Sequence, residues 1–168
     1  MLPEVLVRAR AMLEDLTPLK TDCGLTCGGA CCRPMEGEMT GMLLFPGEEA
    51  YYAGLEGYRM TEADQGTLLI CSGRCSRADR PLSCRLMPLI PLVRGEGVKV
   101  ATDLRAKAVC PLAQQGKDAL NPDFVAAVRQ VGRILAEDDV QRAFLVGLTQ
   151  QQDELKALRN QFRRGSHV

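Results

Sequence analysis

Eight cysteines constrain this chain of 168 residues more than any other feature. The first group is Cys23-Gly-Leu-Thr-Cys27-Gly-Gly-Ala-Cys31-Cys32, and the others are Cys71, Cys75, Cys84 and Cys110. One or two of them can be small buried apolar side chains. For the whole set that role is disfavoured, because reactive thiols in exposed loops oxidise. We therefore expect the sulfur chemistry to organise the middle of the chain.

The compartment decides what such thiols can do. Residues 1–20 carry five charged side chains before Lys20 and lack the apolar stretch of a secretion signal. The longest apolar run, Leu86–Val93, is interrupted by Pro88 and Pro91 and is far shorter than the roughly 20 residues that span a bilayer. We expect no membrane association and a cytoplasmic protein whose thiols are reduced, which disfavours a disulfide framework.

Composition and charge narrow the function classes further. The chain has only seven Phe and Tyr residues and no Trp, so its core must consist mainly of aliphatic side chains. The formal net charge is zero, but residues 1–70 carry −6 and residues 71–107 carry +5. The positive middle contains no run of basic residues and few aromatic side chains for stacking on bases. Nucleic acid is therefore not the expected partner.

Periodicity predicts an α+β fold with an N-terminal helix, a cysteine-rich middle of short strands and loops, and two C-terminal helices. The helices are expected at Pro3–Leu16, near Glu48–Tyr52, from Asn121-Pro122 onward, and over about Asp138–Arg163. Strands are expected at Met39–Phe45 and Thr67–Cys71, with a hairpin of 88–93 and 98–102 around Gly95-Glu96-Gly97. Residues 21–37 are expected to form a loop.

The change of character near residue 119 suggests two parts. Residues 1–118 would form the cysteine-cluster domain, and residues 119–164 a helical segment packed on it. The last helix is long enough to allow self-association. Residues 164–168, which include His167, are expected to be frayed and to take no part in the chemistry.

The ligand set points to a metal centre made of sulfur alone. Because the single histidine lies in the tail, mixed Cys/His zinc fingers and hard-cation sites are excluded. All-sulfur sites favour zinc or iron–sulfur clusters. The two Cys-x₃-Cys spacings fall within the zinc-ligand range, whereas Cys110-Pro111 matches the end of ferredoxin runs. Spacing alone leaves both metals open.

The loops around the cysteines have features that suit a thiolate centre. Gly24, Gly28 and Gly29 allow the backbone to curl around an anion. Nearby cations that could offset the thiolate charge are Arg33, Arg74, Arg77, Arg80 and Arg85. Adjacent residues in extended backbone point in opposite directions, so Cys31 and Cys32 fit two centres, or one ligand and one outer thiol. Eight cysteines suffice for two four-sulfur sites.

These motifs resemble the CxxCxxCC cysteine-cluster family of YkgJ type, described as a zinc- or iron-chelating domain with eight characteristic cysteines. The resemblance spans about residues 20–115 and includes Arg80-Pro81-Leu82-Ser83-Cys84-Arg85-Leu86-Met87-Pro88. Two features depart from the family: the spacing here is Cys-x₃-Cys-x₃-Cys-Cys, and Met87 stands where an aromatic residue is common.

The resemblance implies that all eight cysteines are metal ligands, and it favours an iron–sulfur cluster over zinc. With such a cluster we expect a redox or protein-modification-related role, and we expect a protein partner. A zinc-stapled adaptor domain is the first alternative. Because some family members resemble flagellin lysine methylases, a cluster-dependent methylase is the second. No nucleotide loop, catalytic triad or carboxylate pair is evident in the sequence, so enzymatic activity stays open.

Overall fold

The computed structural model describes residues 1–32, 41–73 and 75–165, and it confirms the α+β class. The helices are α1 Glu4–Ala11, α2 Cys23–Cys27, α3 Glu49–Tyr52, α4 Leu82–Leu86, α5 Pro122–Ala136 and α6 Asp139–Gly165. The strands are β1 Met42–Leu43, β2 Tyr58–Ala63, β3 Gly66–Cys71, β4 Leu89–Arg94 and β5 Gly97–Thr102. Short 3₁₀ helices cover Ala30–Cys32, Arg105–Ala108, Pro111–Gln114 and Lys117–Ala119.

The strands form two small antiparallel sheets. In the first, β3 lies between β1 and β2, and Tyr58 pairs with Cys71 where the β2–β3 hairpin opens. In the second, β4 and β5 form the expected hairpin, and Pro91 pairs with Val100. Both strands of this hairpin are edges, which is where a strand tolerates proline.

The C-terminal helices pack on the β4–β5 hairpin. Asn121 caps α5 through its side chain, which accepts a hydrogen bond from the Asp123 amide at 3.1 Å, and Pro122 occupies the first turn. One face of α5 buries Phe124, Val128 and Leu135 against the hairpin and α1. Thr149 of α6 donates to the Leu145 carbonyl and accepts from the Val93 amide at 3.0 Å, which joins α6 to the hairpin.

One apolar core connects the two ends of the chain. Leu6 and Leu13 from the N-terminal segment share it with Leu86 of α4, Leu135 of α5 and Leu145 of α6. Cys110 is buried in the same core, and Cys23 packs against it. The cysteine segments are therefore mounted on the edge of a packed aliphatic core. No helix within the described residues is long and apolar enough to cross a membrane.

Three predicted elements differ from the observed ones. Helix α1 ends at Ala11 rather than Leu16, and the loop predicted over 21–37 contains α2 and a 3₁₀ turn. Strand β2 was not predicted. It is an outer strand with mostly exposed side chains, so its sequence carries no apolar alternation. Of the predicted strand 39–45 only Met42–Leu43 is observed as strand, and Met39 and Thr40 lie outside the described residues.

Candidate metal centre

All eight cysteines line one cavity of about 120 Å³. They come from α2, the 30–32 turn, the end of β3, the following loop, α4 and the start of the 111–114 turn: Cys23, Cys27, Cys31, Cys32, Cys71, Cys75, Cys84 and Cys110. All eight are free thiols in the structure. Segments almost 90 residues apart in sequence therefore meet at one place.

Helix α2 presents two of the cysteines on one face. The Asp22 carboxylate caps its start by accepting from the Gly24 amide at 2.9 Å, and Gly28 ends it in the left-handed conformation with φ 64°. Cys23 and Cys27 are four residues apart and so lie one above the other on the helix surface. A short helix with its own caps holds these two thiols toward the cavity.

Cys31 and Cys32 occupy a 3₁₀ turn rather than extended backbone. Neighbouring side chains diverge by about 120° in such a turn, which has 3.0 residues per turn. A hydrogen bond from the Cys31 thiol to the Cys32 sulfur, aided by the Arg80 charge, lowers the pKa of Cys32 to about 6. The same bond is the main reason why the pKa of Cys31 is raised. This pair therefore favours a Cys32 thiolate near neutral pH.

The remaining wall is formed by β3, the loop after it and α4. Cys71 ends β3, and Cys75 lies beside the Arg80 guanidinium, which hydrogen bonds to its sulfur. Burial is the largest cause that raises the pKa values of Cys75 and Cys84, and neighbouring thiolates, including Cys71 and Cys32, add to it. Metal binding would relieve this penalty, because a coordinating thiol is deprotonated outright.

Among the arginines of the described residues, Arg80 interacts with the largest number of cysteines. Its charge favours the thiolates of Cys23, Cys32 and Cys75. Asp22 and Cys32 in turn help to raise the Arg80 pKa, after the hydrogen bond and charge of Cys75. Arg80 therefore meets the expectation of a cation that offsets thiolate charge.

Arg77 and Arg85 line the cavity but are engaged with protein oxygens. Arg77 donates to the carbonyls of Leu13, Glu14 and Leu16, at 3.3 Å to Leu13 and 2.9 Å to Leu16. These bonds hold the segment that follows α1 against the loop that leads into α4. The predictions for Arg33, Arg74 and His167 fall outside the described residues.

Arg85 fixes the loop that leads into α4. Its guanidinium donates to the carbonyls of Arg77 and Arg80 at 2.8 and 3.0 Å, and it pairs with the Glu14 carboxylate at 2.6 Å. The Arg85 side chain is 4% exposed and the Glu14 side chain is 49% exposed. The arginine is therefore the buried member of this ion pair, and the glutamate lies at the surface. The segment 76–80, which lies between Cys75 and Cys84, is thereby attached to the N-terminal segment.

Glu48 is a supporting residue that sequence reasoning missed. It is fully buried, and its carboxylate accepts from the Phe45 and Leu82 amides at 3.0 and 2.9 Å. Arg10 of α1 pairs with it at 3.4 Å and donates to the Ala78 carbonyl at 2.7 Å. Because Leu82 is the first residue of α4, this carboxylate holds the helix that carries Cys84. No local sequence signal separates Glu48 from a first-turn helix acid.

The tyrosines support the same loop. Tyr51 donates to the Asp79 carboxylate and Tyr52 to the Asp79 carbonyl, both at 2.7 Å. The Tyr52 and Tyr58 rings are 5.3 Å apart, and Tyr58 lines the cavity. Tyr58 lines the cavity, whereas Tyr52 is buried packing.

The thiols surround the cavity without converging on one point. Within residues 1–32, 41–73 and 75–165, no set of three or more Cys, His, Asp or Glu side chains is close enough to hold a single metal ion. The donor set is soft and anionic, with Arg80 beside it. Comparison of the chain with protein-family models, with curated proteins and with solved structures gives no match.

Proposed function

We propose that this protein binds an iron–sulfur cluster through the cysteines that line the cavity. The observation that carries the proposal is the meeting of all eight cysteines, from six segments of the chain, at one cavity. Apolar packing does not need such a meeting, because seven of the eight thiols are only partly buried or exposed. The resemblance to the CxxCxxCC family points in the same direction.

The spacing of the thiols favours a cluster over a single ion. A tetrahedral zinc site needs four sulfurs about 2.3 Å from one point. In an iron–sulfur cluster each thiolate binds a different iron, or shares one with a single other thiolate, so the set is spread over a larger volume. Among the described residues no three such donors are placed to hold one ion as they stand, so a single zinc ion would require the thiols to move closer together. When bound, such a cluster supplies one-electron redox chemistry.

A zinc-stapled adaptor is the second candidate. The observation in its favour is the pair of Cys-x₃-Cys spacings, 23–27 and 71–75, which fall within the range of structural zinc ligands. Zinc would then add to the stability of the fold, on the order of 10 kcal/mol. The same metal analysis tests both candidates.

The role and location that we propose follow from the chemistry of the donors. Thiolate ligands need a reducing compartment, so we place the protein in the cytoplasm. The role is a redox step or a redox-linked protein modification carried out with a protein partner, because an iron–sulfur cluster supplies one-electron chemistry.

Anaerobic purification followed by metal analysis tests the proposal. We expect a brown protein with iron and acid-labile sulfide, and Cys27→Ser should lower the iron content. Thr26→Ser is the matched control, since this exposed neighbour lies on the same helix and is not among the residues that line the cavity. A colourless protein with stoichiometric zinc would establish the second candidate. A protein without metal after reconstitution with either metal would refute both.

A further inference from the structure

A second cavity of about 470 Å³ lies beside the cysteine cavity. Its wall is formed by β1, β3, α4, the start of β4, the 103–109 segment and α6. This volume falls within the roughly 300–1,000 Å³ that is usual for small-molecule sites. Cys31, Cys32 and Cys71 line both cavities, so a molecule in the second cavity would lie next to the sulfur site.

Apolar side chains form most of the wall of this second cavity. Leu43, Leu86, Ile90 and Leu148 belong to the buried core and also border the cavity. Leu68 of β3, which is partly buried, extends the apolar surface. A bound water molecule needs about two to four polar partners, and a wall of this kind offers few. The cavity is therefore suited to an organic molecule with a large apolar part.

The charged groups that border the cavity are one ion pair and one exposed carboxylate. Arg105 and Asp103 pair at 2.7 Å, and their side chains are 33% and 13% exposed. Asp103 also accepts from the Gln152 side chain at 2.8 Å and from the Arg105 amide at 2.9 Å. Among the described residues of the wall, the remaining charge is the exposed carboxylate of Asp64. An anionic ligand would lose its hydration without meeting an unpaired cation in the described wall, which disfavours it.

Arg105 has a donor that its carboxylate partner does not use. It binds Asp103 through Nε and Nη2, at 3.0 Å from Nε to Oδ1 and 2.7 Å from Nη2 to Oδ2. Within the described parts of the chain, its Nη1 has no hydrogen-bond acceptor. A guanidinium donates and never accepts, so the group that Nη1 can hold is an acceptor such as a carbonyl oxygen. Because Asp103 already balances the charge of Arg105, a neutral acceptor is sufficient.

We propose that the second cavity binds a neutral, mainly apolar small molecule whose carbonyl oxygen accepts a hydrogen bond from Arg105. This inference goes beyond the proposed function and does not require a bound metal. Where the proposed cluster is present, the molecule would lie beside Cys31, Cys32 and Cys71 and therefore beside the redox centre.

Two fluorescent probes with the same ring system test the ligand class on the anaerobically purified full chain. Propionyl-dimethylaminonaphthalene is neutral and carries one carbonyl group, and its emission shifts to the blue in an apolar site. Dimethylaminonaphthalene sulfonate has a negative charge in place of the carbonyl group. We expect saturable binding of the neutral probe and binding of the sulfonate that is at least about tenfold weaker, because the charge would be buried without a partner.

Two matched pairs of variants locate the probe. Ala106 is 2% exposed and borders the cavity, so Ala106→Leu should fill part of it and weaken binding of the neutral probe by about tenfold or more. Ala143→Leu, at an exposed position of α6 away from both cavities, should bind as wild type does. Leu68→Phe replaces Ala106→Leu if circular dichroism shows that the latter does not fold.

The second pair tests the hydrogen bond to the carbonyl group. Arg105→Met should weaken binding of the neutral probe by about 3–10-fold and shift its bound emission further to the blue, because the donor to the carbonyl oxygen is lost. Arg159→Met, which changes an exposed arginine of α6 outside both cavities, should alter neither quantity.

Four results would overturn the proposal in whole or in part. Absence of saturable binding by the folded full chain, equal affinity for the two probes, or equal affinity in Ala106→Leu and Ala143→Leu would each overturn the site. Unchanged affinity and emission in Arg105→Met would overturn the assignment of the carbonyl group to Arg105. Metal analysis of the same preparation judges the proposed function separately, since a protein that binds iron but no probe refutes only this site.

Discussion

Glu48 offers the sharpest test of how the cysteine helix α4 is held. Its carboxylate has 0% exposed surface and accepts from two backbone amides, those of Phe45 and Leu82. Arg10 is its charged partner at 3.4 Å. Glu48→Ala would leave both amides without an acceptor inside the protein and would remove the partner of a buried cation.

The cost follows from the contacts that are lost. An unsatisfied buried amide costs about 1–3 kcal/mol, and removing one partner of a buried ion pair costs about 3–5 kcal/mol. Arg10 keeps its bond to the Ala78 carbonyl at 2.7 Å, which limits its share of the loss. We therefore expect Glu48→Ala to lower the free energy of unfolding by about 3–5 kcal/mol. Glu48→Gln keeps one acceptor oxygen and should cost about 1–2 kcal/mol.

The sign of the pH dependence gives a second readout. Burial raises the pKa of Glu48 above its ordinary value of 4.5, although its two backbone donors lower it. The folded protein therefore binds this proton more tightly than the unfolded chain does, and this contribution to stability is lost as the pH rises through the Glu48 pKa. The side chain in Glu48→Gln does not titrate. The free energy of unfolding of this variant should therefore fall further below that of wild type at pH 4.5 than at pH 8.

Equilibrium unfolding in urea, with the metal-free reduced protein, measures these differences. Glu49→Gln is the matched control, because Glu49 is only partly buried and accepts from the Gly47 amide in a local turn. That variant should stay within about 0.5 kcal/mol of wild type. A Glu48→Ala protein within about 1 kcal/mol of wild type would refute the reasoning, since a single unsatisfied buried amide already costs that much.

Two further predictions concern the helices and the thiols. A methyl group on Gly132 would lie 2.6 Å from both Pro91 Cβ and Val98 Cγ1, so Gly132→Ala should destabilise the fold by about 1–3 kcal/mol. The methyl group of Gly147→Ala meets no atom within 4 Å, so this control should stabilise the fold by about 0.5–1 kcal/mol. Urea unfolding measures both variants, and equal effects of the two changes would contradict the packing around Gly132. In metal-free protein, alkylation of Cys32 should have its midpoint near its pKa of about 6, and Cys31→Ala should raise that midpoint by removing the hydrogen bond. A wild-type midpoint near the ordinary value of 9.0 would contradict the bond.

Local sequence signals predicted the parts of the fold that local interactions build. Asn121-Pro122 marked the start of α5, and Gly95-Glu96-Gly97 marked the turn of the β4–β5 hairpin. Helix α2 was missed, although Asp22 before it and Gly28 after it are the residues that cap it. Five helical residues show too little of an apolar period to be recognised.

Long-range contacts shaped the parts that the sequence could not predict. Helix α1 has the apolar spacing of a longer helix, yet tight turns follow Ala11, and the Arg77 side chain, 61 residues further along the chain than Leu16, binds the Leu13 and Leu16 carbonyls. The pairing of Glu48 with Leu82 joins positions 34 residues apart. The cysteines could be singled out from residue type alone, whereas the contacts that position their segments around the cavity depend on the tertiary fold.

The contacts that hold the cysteine segments also fix the backbone on one side of the cavity. The segment between Cys75 and Cys84 is held by Arg85, Arg10 and Tyr52, each of which donates to a backbone carbonyl of residues 77–80. These are bonds to backbone oxygen, so they fix the path of the chain and leave the thiols to the cavity. A preformed path lowers the ordering cost of binding. The aliphatic core and these arginines thus hold one wall of the cavity in place within the protein itself. The metal centre that we propose would meet thiols already positioned, and coordination would offset the penalty that burial places on their thiolate form.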